Sequence, residues 1–122
     1  MIVERQATPV LYVACADEIP EIRAAWERLE AVVPLKGRRF FGAAHADGTY
    51  WACVQRLEGE EAGELAVGVL PGGAYTRTRL RGEPPEVYDG IAAAAEGPRD
   101  PGRPIIEHYR RRDEIDVLLP VP

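Results

Sequence analysis

Glu18-Ile19-Pro20-Glu21-Ile22 returns 65 positions later as Glu83-Pro84-Pro85-Glu86-Val87, in a chain of 122 residues. Three further pairs of segments keep this offset without a gap: Gly37-Arg38 with Gly102-Arg103, Phe40-Phe41 with Ile105-Ile106, and Ala52-Cys53-Val54 with Val117-Leu118-Leu119. A period of about half the chain indicates one supersecondary unit used twice. We therefore expect two modules side by side, about 2–58 and 65–122, with a ligand between them.

Length and composition favour one small globular domain, with 46% hydrophobic and 29% charged residues. The net charge of −5 argues against a nucleic-acid partner. The chain has no apolar run of the roughly 18 residues that a membrane span needs. Its N-terminus lacks the basic and then apolar pattern of a signal peptide. We therefore expect a cytoplasmic protein that has no membrane partner.

Hydrophobic periodicity predicts similar elements in the two halves. The first half is expected to contain a strand over 2–16, a helix from an N-cap at Asp17 to Pro34, and a hairpin over 38–45 and 49–57. The second half is expected to contain strands over 65–70 and 75–81, a helix over 85–95, and a hairpin over 104–110 and 114–121. The predicted fold class is α+β, a duplicated strand–helix–strand–strand module. Its antiparallel sheet carries two helices on one face and a ligand cleft on the other.

Glu107 is the main candidate for a functional side chain. It stands in the apolar strand Pro104–Tyr109, where a period of two puts Ile105, Glu107 and Tyr109 on one face. A carboxylate buried there without a partner is costly. Two interpretations stay open, a solvated residue paired with an arginine, and a carboxylate in an apolar cleft that binds a cation or transfers a proton.

Aromatic residues on the predicted strands supply the other candidate ligand contacts. An aromatic cleft around one carboxylate suits a flat, apolar and often cationic ligand. Besides Glu107, the predicted cleft residues are Trp51, Tyr75, Tyr109, Phe41 and Tyr12. His45 and His108 have no metal-ligand spacing with other residues, so no metal or cofactor is expected.

Four segments together resemble the GyrI-like effector-binding family: Leu70-Pro71-Gly72-Gly73-Ala74-Tyr75, Leu80-Arg81-Gly82, Arg103-Pro104-Ile105-Ile106-Glu107-His108-Tyr109 and Ile115-Asp116-Val117-Leu118-Leu119-Pro120-Val121. The resemblance spans most of the chain and keeps the order and spacing of the motifs. It implies a duplicated module with a ligand cleft between the halves and the strand glutamate, here Glu107, among aromatic residues. Members of this family sense or sequester hydrophobic cations, or hydrolyse strained cyclopropane-type genotoxins.

Family members fused to a DNA-binding domain regulate transcription, but here Ile2 already begins a strand, so we expect no transcription factor in this chain alone. The chain is also shorter than typical members, which leaves open a shallower cleft or one completed by another subunit in a homodimer.

The sequence and the family resemblance leave three possible functions of different classes for this chain. The first is a standalone protein that binds small hydrophobic or cationic aromatic compounds, as in multidrug binding. The second is a hydrolase in which Glu107 activates water and a tyrosine, Tyr109 or Tyr75, donates a proton. The third is an interaction module that docks on a separate regulator. Whether the chain is an enzyme is left open by its sequence.

Overall fold

The computed structural model describes residues 1–34 and 36–122, and within them the chain forms eight strands and two helical segments. The strands are β1 (Ile2–Arg5), β2 (Thr8–Ala16), β3 (Phe40–Ala44), β4 (Thr49–Gln55), β5 (Ala66–Leu70), β6 (Gly73–Arg81), β7 (Ile105–Arg111) and β8 (Glu114–Pro120). Helix α1 spans Ile19–Val32. The second helical segment is a 3₁₀ turn, Glu86–Gly90, that continues into the short helix α2, Ile91–Ala94.

All eight strands form one antiparallel sheet in the order β1-β6-β8-β7-β3-β4-β2-β5. Adding 65 to the residue numbers turns β2 into β6 and β4 into β8, end to end. The same offset turns β3 into β7 and β1 into β5, to within two residues at the ends. Replacing each strand by its equivalent reverses the strand order of the sheet. The sheet therefore has a pseudo-twofold axis between its two middle strands, β3 and β7. The predicted fold class, α+β with helices on one face of an antiparallel sheet, is confirmed.

The strand registers obey the same symmetry. Leu11 pairs with Val54 in the first half, and Thr76 pairs with Leu119, each 65 positions on. At the centre of the sheet Gly42 pairs with Glu107. These two residues are themselves 65 positions apart and are therefore equivalent in the repeat. The pseudo-twofold axis therefore passes between a glycine and a glutamate.

The strand predicted over 2–16 is wrong as a single element, because the chain leaves the sheet at Gln6-Ala7 and re-enters it elsewhere. Ile2–Arg5 pairs with β6, whereas Thr8–Ala16 lies between β4 and β5. The short edge strand of each half thus pairs with the neighbouring half. Strand pairing crosses the boundary between the two sequence modules.

These connections curl the sheet. In a flat sheet β1 and β2 would lie six strand spacings apart, about 29 Å. The three Cα–Cα steps from Arg5 to Thr8 can span only about 11 Å. The inner face of the curl holds a cluster with contributions from every strand: Val3, Val10, Phe41, Ala43, Cys53, Leu70, Tyr75, Ile106 and Leu118. We call this side of the sheet the concave face.

The two helical segments cover the other side, the helix-bearing face. Helix α1 buries Ala25 and Leu29 against a cluster that includes Leu11, Ala52 and Val54. The 3₁₀ turn buries Val87 against residues of β7 and β8. The helical segments thus lie over opposite ends of the sheet and flank its middle strands. Among the described residues, no helix is long and apolar enough to cross a membrane.

The start of α1 differs from the predicted one. The N-cap is Glu18, not Asp17, and its side chain makes no capping hydrogen bond among the described residues. Pro20 takes the first turn, where a missing N–H costs little. At the other end, Val33 is extended because Pro34 follows it.

Gly48 closes the hairpin between β3 and β4 with a φ of 87°, and a Cβ there would meet no atom within 4 Å. Gly48→Ala should therefore lower the free energy of unfolding by about 1 kcal/mol through backbone strain alone. Gly48→Asn should cost less, because asparagine tolerates this conformation. Denaturant unfolding of the three proteins checks this, and equal stability of the alanine variant would contradict it.

Candidate functional site

Glu107 lies on the helix-bearing face, between the two helical segments, where the pseudo-twofold axis crosses the sheet, and not on the helix-free face where the sequence predicts the ligand cleft. Strand pairing places it beside Gly42 on β3 and Val117 on β8. Alternation along β7 puts Ile105 and Tyr109 on the same face. The side chain is partly buried over the two middle strands, in the space between the helical segments.

Two phenols donate hydrogen bonds to the same oxygen of Glu107. The hydroxyl of Tyr109 lies 2.6 Å from Oε1, and that of Tyr50 lies 3.0 Å from it. Within residues 1–34 and 36–122, the second oxygen, Oε2, accepts no hydrogen bond. One oxygen of the carboxyl group is thus held in place, and the other has no hydrogen-bond partner among the described residues.

The titration of this cluster is governed by burial. Desolvation raises the pKa of Glu107 above its ordinary value, although the hydrogen bonds from Tyr109 and Tyr50 lower it. Burial and the nearby charge of Glu107 raise the pKa of Tyr109, and the same causes raise the pKa of Tyr50 well above its usual range. Both phenols therefore stay protonated and continue to donate.

Two further aromatic rings pack against the phenols that hold the carboxylate. Trp26 on α1 meets Phe40 and Tyr109 edge-on, with ring centroids 5.9 and 5.6 Å apart. Phe40 and Tyr109 lie nearly parallel at 6.0 Å. The indole Nε1 of Trp26 also donates a long hydrogen bond, 3.4 Å, to the Tyr50 hydroxyl. We call Trp26, Phe40, Tyr50 and Tyr109 the aromatic cage.

Gly42 makes room for this arrangement. A Cβ at position 42 would collide with the Tyr50 hydroxyl and would lie 2.5 Å from Oε1 of Glu107 and 2.7 Å from Cζ of Tyr50. No real Cβ approaches other atoms so closely, so any larger residue would displace the cage. The glycine is required by space, since its φ is not among the positive ones.

The structure brings together only two of the six residues predicted to line one cleft, Glu107 and Tyr109. The other four, Trp51, Tyr75, Phe41 and Tyr12, lie on the concave face. Trp51 pairs with Ala43, which pairs with Ile106, so alternation puts Trp51 on the face opposite Glu107.

These four aromatic residues pack into or against the core of the concave face. Tyr75 and Phe41 are buried in it. Tyr12 and Trp51 stack with their ring centroids 3.8 Å apart.

Three residues of the cage were missed by the sequence analysis: Trp26, Phe40 and Tyr50. Trp26 lies in the helix predicted to end at Pro34, and Phe40 and Tyr50 lie in the hairpin predicted over 38–45 and 49–57. The available signal was the repeat itself, which makes Gly42 the equivalent of Glu107 and so points to the strands around it. Among the described residues, no group of three or more His, Cys, Asp or Glu could hold a metal ion.

No protein-family model matches this chain, and no curated protein matches it in sequence. Solved structures do share its fold. An integron cassette protein from the mobile metagenome of Vibrio cholerae, VCH_CASS2, has a TM-score of 0.72 at 17% identity, covering 100% of this chain and 95% of its own. SAV2435, solved with bound tetraphenylphosphonium, has a TM-score of 0.70 at 14% identity, covering 100% and 93%. At these identities the similarity shows the fold.

Proposed function

We propose that this chain is a GyrI-like protein that binds hydrophobic cations with aromatic groups in the space between its helical segments. Glu107 supplies the negative charge, and the aromatic cage supplies the apolar contacts. The observation that carries this proposal is a carboxylate at the centre of the sheet, held by two phenols on which two further rings pack, and hydrogen-bonded to no basic residue among those the structure describes.

The electrostatics of Glu107 favour a positively charged ligand. Among the described residues, no arginine or lysine forms an ion pair with it. Two neutral phenols leave its negative charge uncompensated, which agrees with a raised pKa. A bound cation would supply the missing charge, and ring faces attract cations as well.

The fold comparison supports the same class of ligand. Tetraphenylphosphonium, the ligand of SAV2435, is a cation shielded by aromatic groups. Such an ion has a weak hydration shell, so it loses little when it enters an apolar groove. The aromatic cage and Glu107 match this chemistry, with rings for the phenyl groups and a carboxylate for the charge.

Titration of the protein with tetraphenylphosphonium tests the proposal. We expect saturable binding with one site per chain and a change in tryptophan fluorescence, since Trp26 is part of the cage. Trp26→Phe, which keeps an aromatic ring, should remove most of the fluorescence response and retain binding. Binding that leaves the fluorescence of Trp26 unchanged, with Trp51 accounting for the whole signal, would place the ligand elsewhere.

Cation binding should depend on pH through Glu107. Its raised free-state pKa falls when a cation binds, because the cation stabilises the ionised form. Affinity should therefore increase as pH rises between the bound and the free pKa, with release of up to one proton, and stay constant above the free pKa. Calorimetry in buffers of different ionisation enthalpy measures this proton release. Affinity independent of pH throughout the acid range would contradict it.

A hydrolase is the second candidate at the same site. The observation that favours it is the pairing of Glu107 with two phenols, which holds one oxygen and leaves Oε2 to take a proton from water. The raised pKa of Tyr109 opposes it, because a weaker acid protonates a leaving group less readily. Loss of a strained cyclopropane electrophile with wild type, but not with Glu107→Gln, would favour the hydrolase over simple binding.

A further inference from the structure

A cavity opens on the concave face, at the end of the sheet where β1 crosses to β2. Its volume is about 440 Å³, and its walls include Arg5, Thr8, Arg39, Phe41, Gln55 and His108. A neighbouring depression shares Arg39 and His108 and adds Arg110. This cavity lies on the face opposite Glu107 and is separate from the space between the helical segments.

The two ends of the concave face differ in the placement of one pair of equivalent arginines, Arg103 and Arg38. In the second half, Arg103 donates hydrogen bonds to the carbonyls of Gly72, Ala74 and Val121 and lies 5.0 Å from the Tyr75 ring. It therefore fills that end of the sheet.

Arg38 is the repeat equivalent of Arg103 in the first half. Its guanidinium does not line the cavity and instead forms a bidentate ion pair with Glu60 at 2.7 and 2.6 Å. Ala7 and Pro9, the equivalents of Gly72 and Ala74, therefore border an open cavity.

Arginine side chains gather at this cavity, in a protein whose net charge is −5. Within the described residues, Arg5 and Arg39 form no ion pair. The Nε atom of Arg5 is buried and has no hydrogen-bond partner there, while its guanidinium lies 5.3 Å from the Phe41 ring. Arg110, by contrast, lies 3.5 Å from both Glu114 and Asp116.

We propose that this cavity is a second ligand site, which binds a small organic anion through Arg5, Arg39 and His108 and packs its apolar part against Phe41. The head group is a carboxylate or a phosphate, both of which a guanidinium binds through two parallel hydrogen bonds. The volume is in the range of small-molecule pockets. An anion there would pair the charges of Arg5 and Arg39, neither of which forms an ion pair among the described residues.

The titration of His108 agrees with an excess of positive charge around it. Burial and the charges of Arg5, Arg110 and Arg39 lower the pKa of His108 to about 4, against the opposing effect of Asp116 on the adjacent strand. A bound anion stabilises the imidazolium and raises this pKa. Anion affinity should therefore increase as pH falls from the bound pKa towards about 4.

Titration with benzenesulfonate, followed by NMR of the two histidine rings, tests the proposal. This probe stays ionised at all pH values used, and methyl phenyl sulfone is its neutral counterpart. We expect benzenesulfonate to shift the His108 ring signals and raise the His108 pKa, with His45 as the internal reference. Binding of the neutral sulfone with equal affinity would overturn the proposal. Benzoate and phenyl phosphate, compared at neutral pH, then identify the preferred head group.

Two variants with the same change of charge separate a specific site from general attraction. Arg39→Gln should weaken benzenesulfonate binding by about tenfold, the effect of losing one charge-assisted contact. Arg28→Gln, on the exposed side of α1, should leave it unchanged. Equal affinities of these two variants would refute the site. Tetraphenylphosphonium affinity should be the same in Arg39→Gln and wild type, so failure of one site is distinguishable from failure of the other.

Discussion

Glu107→Gln is expected to weaken the binding of methyltriphenylphosphonium by about 1–3 kcal/mol, roughly 5- to 150-fold in Kd. The variant keeps the size of the side chain and an oxygen that accepts from Tyr50 and Tyr109, so it removes the charge and little else. Binding of triphenylphosphine oxide, which has the same three rings and no net charge, should hardly change. Isothermal titration of both compounds with both proteins gives the comparison.

The same variant should not lose stability. Because the pKa of Glu107 is higher in the folded protein, ionised Glu107 reduces the free energy of unfolding as pH rises through the folded pKa. Glutamine has no such cost, so its variant should unfold at the same or higher denaturant concentration at neutral pH. Equal cation affinity of wild type and variant would remove the proposed role of Glu107. A large loss of stability would show that its charge supports the fold instead.

Gly42→Ala is expected to abolish cation binding and to lower the free energy of unfolding by about 1–3 kcal/mol, as overpacked cores do. The added methyl group takes the space of the Tyr50 hydroxyl and of Oε1 of Glu107, so the hydrogen bond between them must break. Thermal unfolding and tetraphenylphosphonium titration measure the two effects.

A double variant shows whether this steric explanation holds. Tyr50→Phe removes the hydroxyl that the new methyl group would strike, so Gly42→Ala should cost less in the Tyr50→Phe background than in wild type. The two changes should therefore be non-additive, as expected for groups in contact. Additive losses of stability would mean that position 42 acts independently of Tyr50. The Gly48→Ala variant is a further control, because its cost is backbone strain and its added methyl group meets no atom within 4 Å.

The repeat made most of the fold predictable from sequence. An ungapped offset of 65 gives the equivalence of β2 with β6 and of β4 with β8, and hairpin and helix signals give their types. The break at Gln6-Ala7 was not predicted, because both flanking segments have strand propensity, but the repeat does contain it: these residues are equivalent to Pro71-Gly72, between the predicted strands 65–70 and 75–81. The pairing of each edge strand, β1 and β5, with the other half depends on contacts between residues distant in sequence. Local sequence patterns do not contain such contacts.

The site was predicted only in part for a related reason. Alternation within β7 correctly put Glu107 and Tyr109 on one face, but it says nothing about which face of β4 aligns with it. A shift of one residue between strands moves a side chain to the other face, as happened for Trp51. Register across the sheet was implicit in the repeat, since Gly42 and Glu107 are equivalent positions and must meet at the axis.

The pairing of Gly42 with Glu107 at the axis determines how many charged side chains can lie there. Two identical modules that associate around a twofold axis can place there only an even number of any side chain, either two carboxylates in mutual repulsion or none. When the two modules are joined in one chain, their sequences can differ at the axis. One module can then have a glutamate where the other has a glycine, as Glu107 and Gly42 do here. A single negative charge then stands at the centre of symmetry. An odd charge is what a monovalent cation needs for neutrality, and covalent duplication is the simplest way for a symmetric fold to provide it.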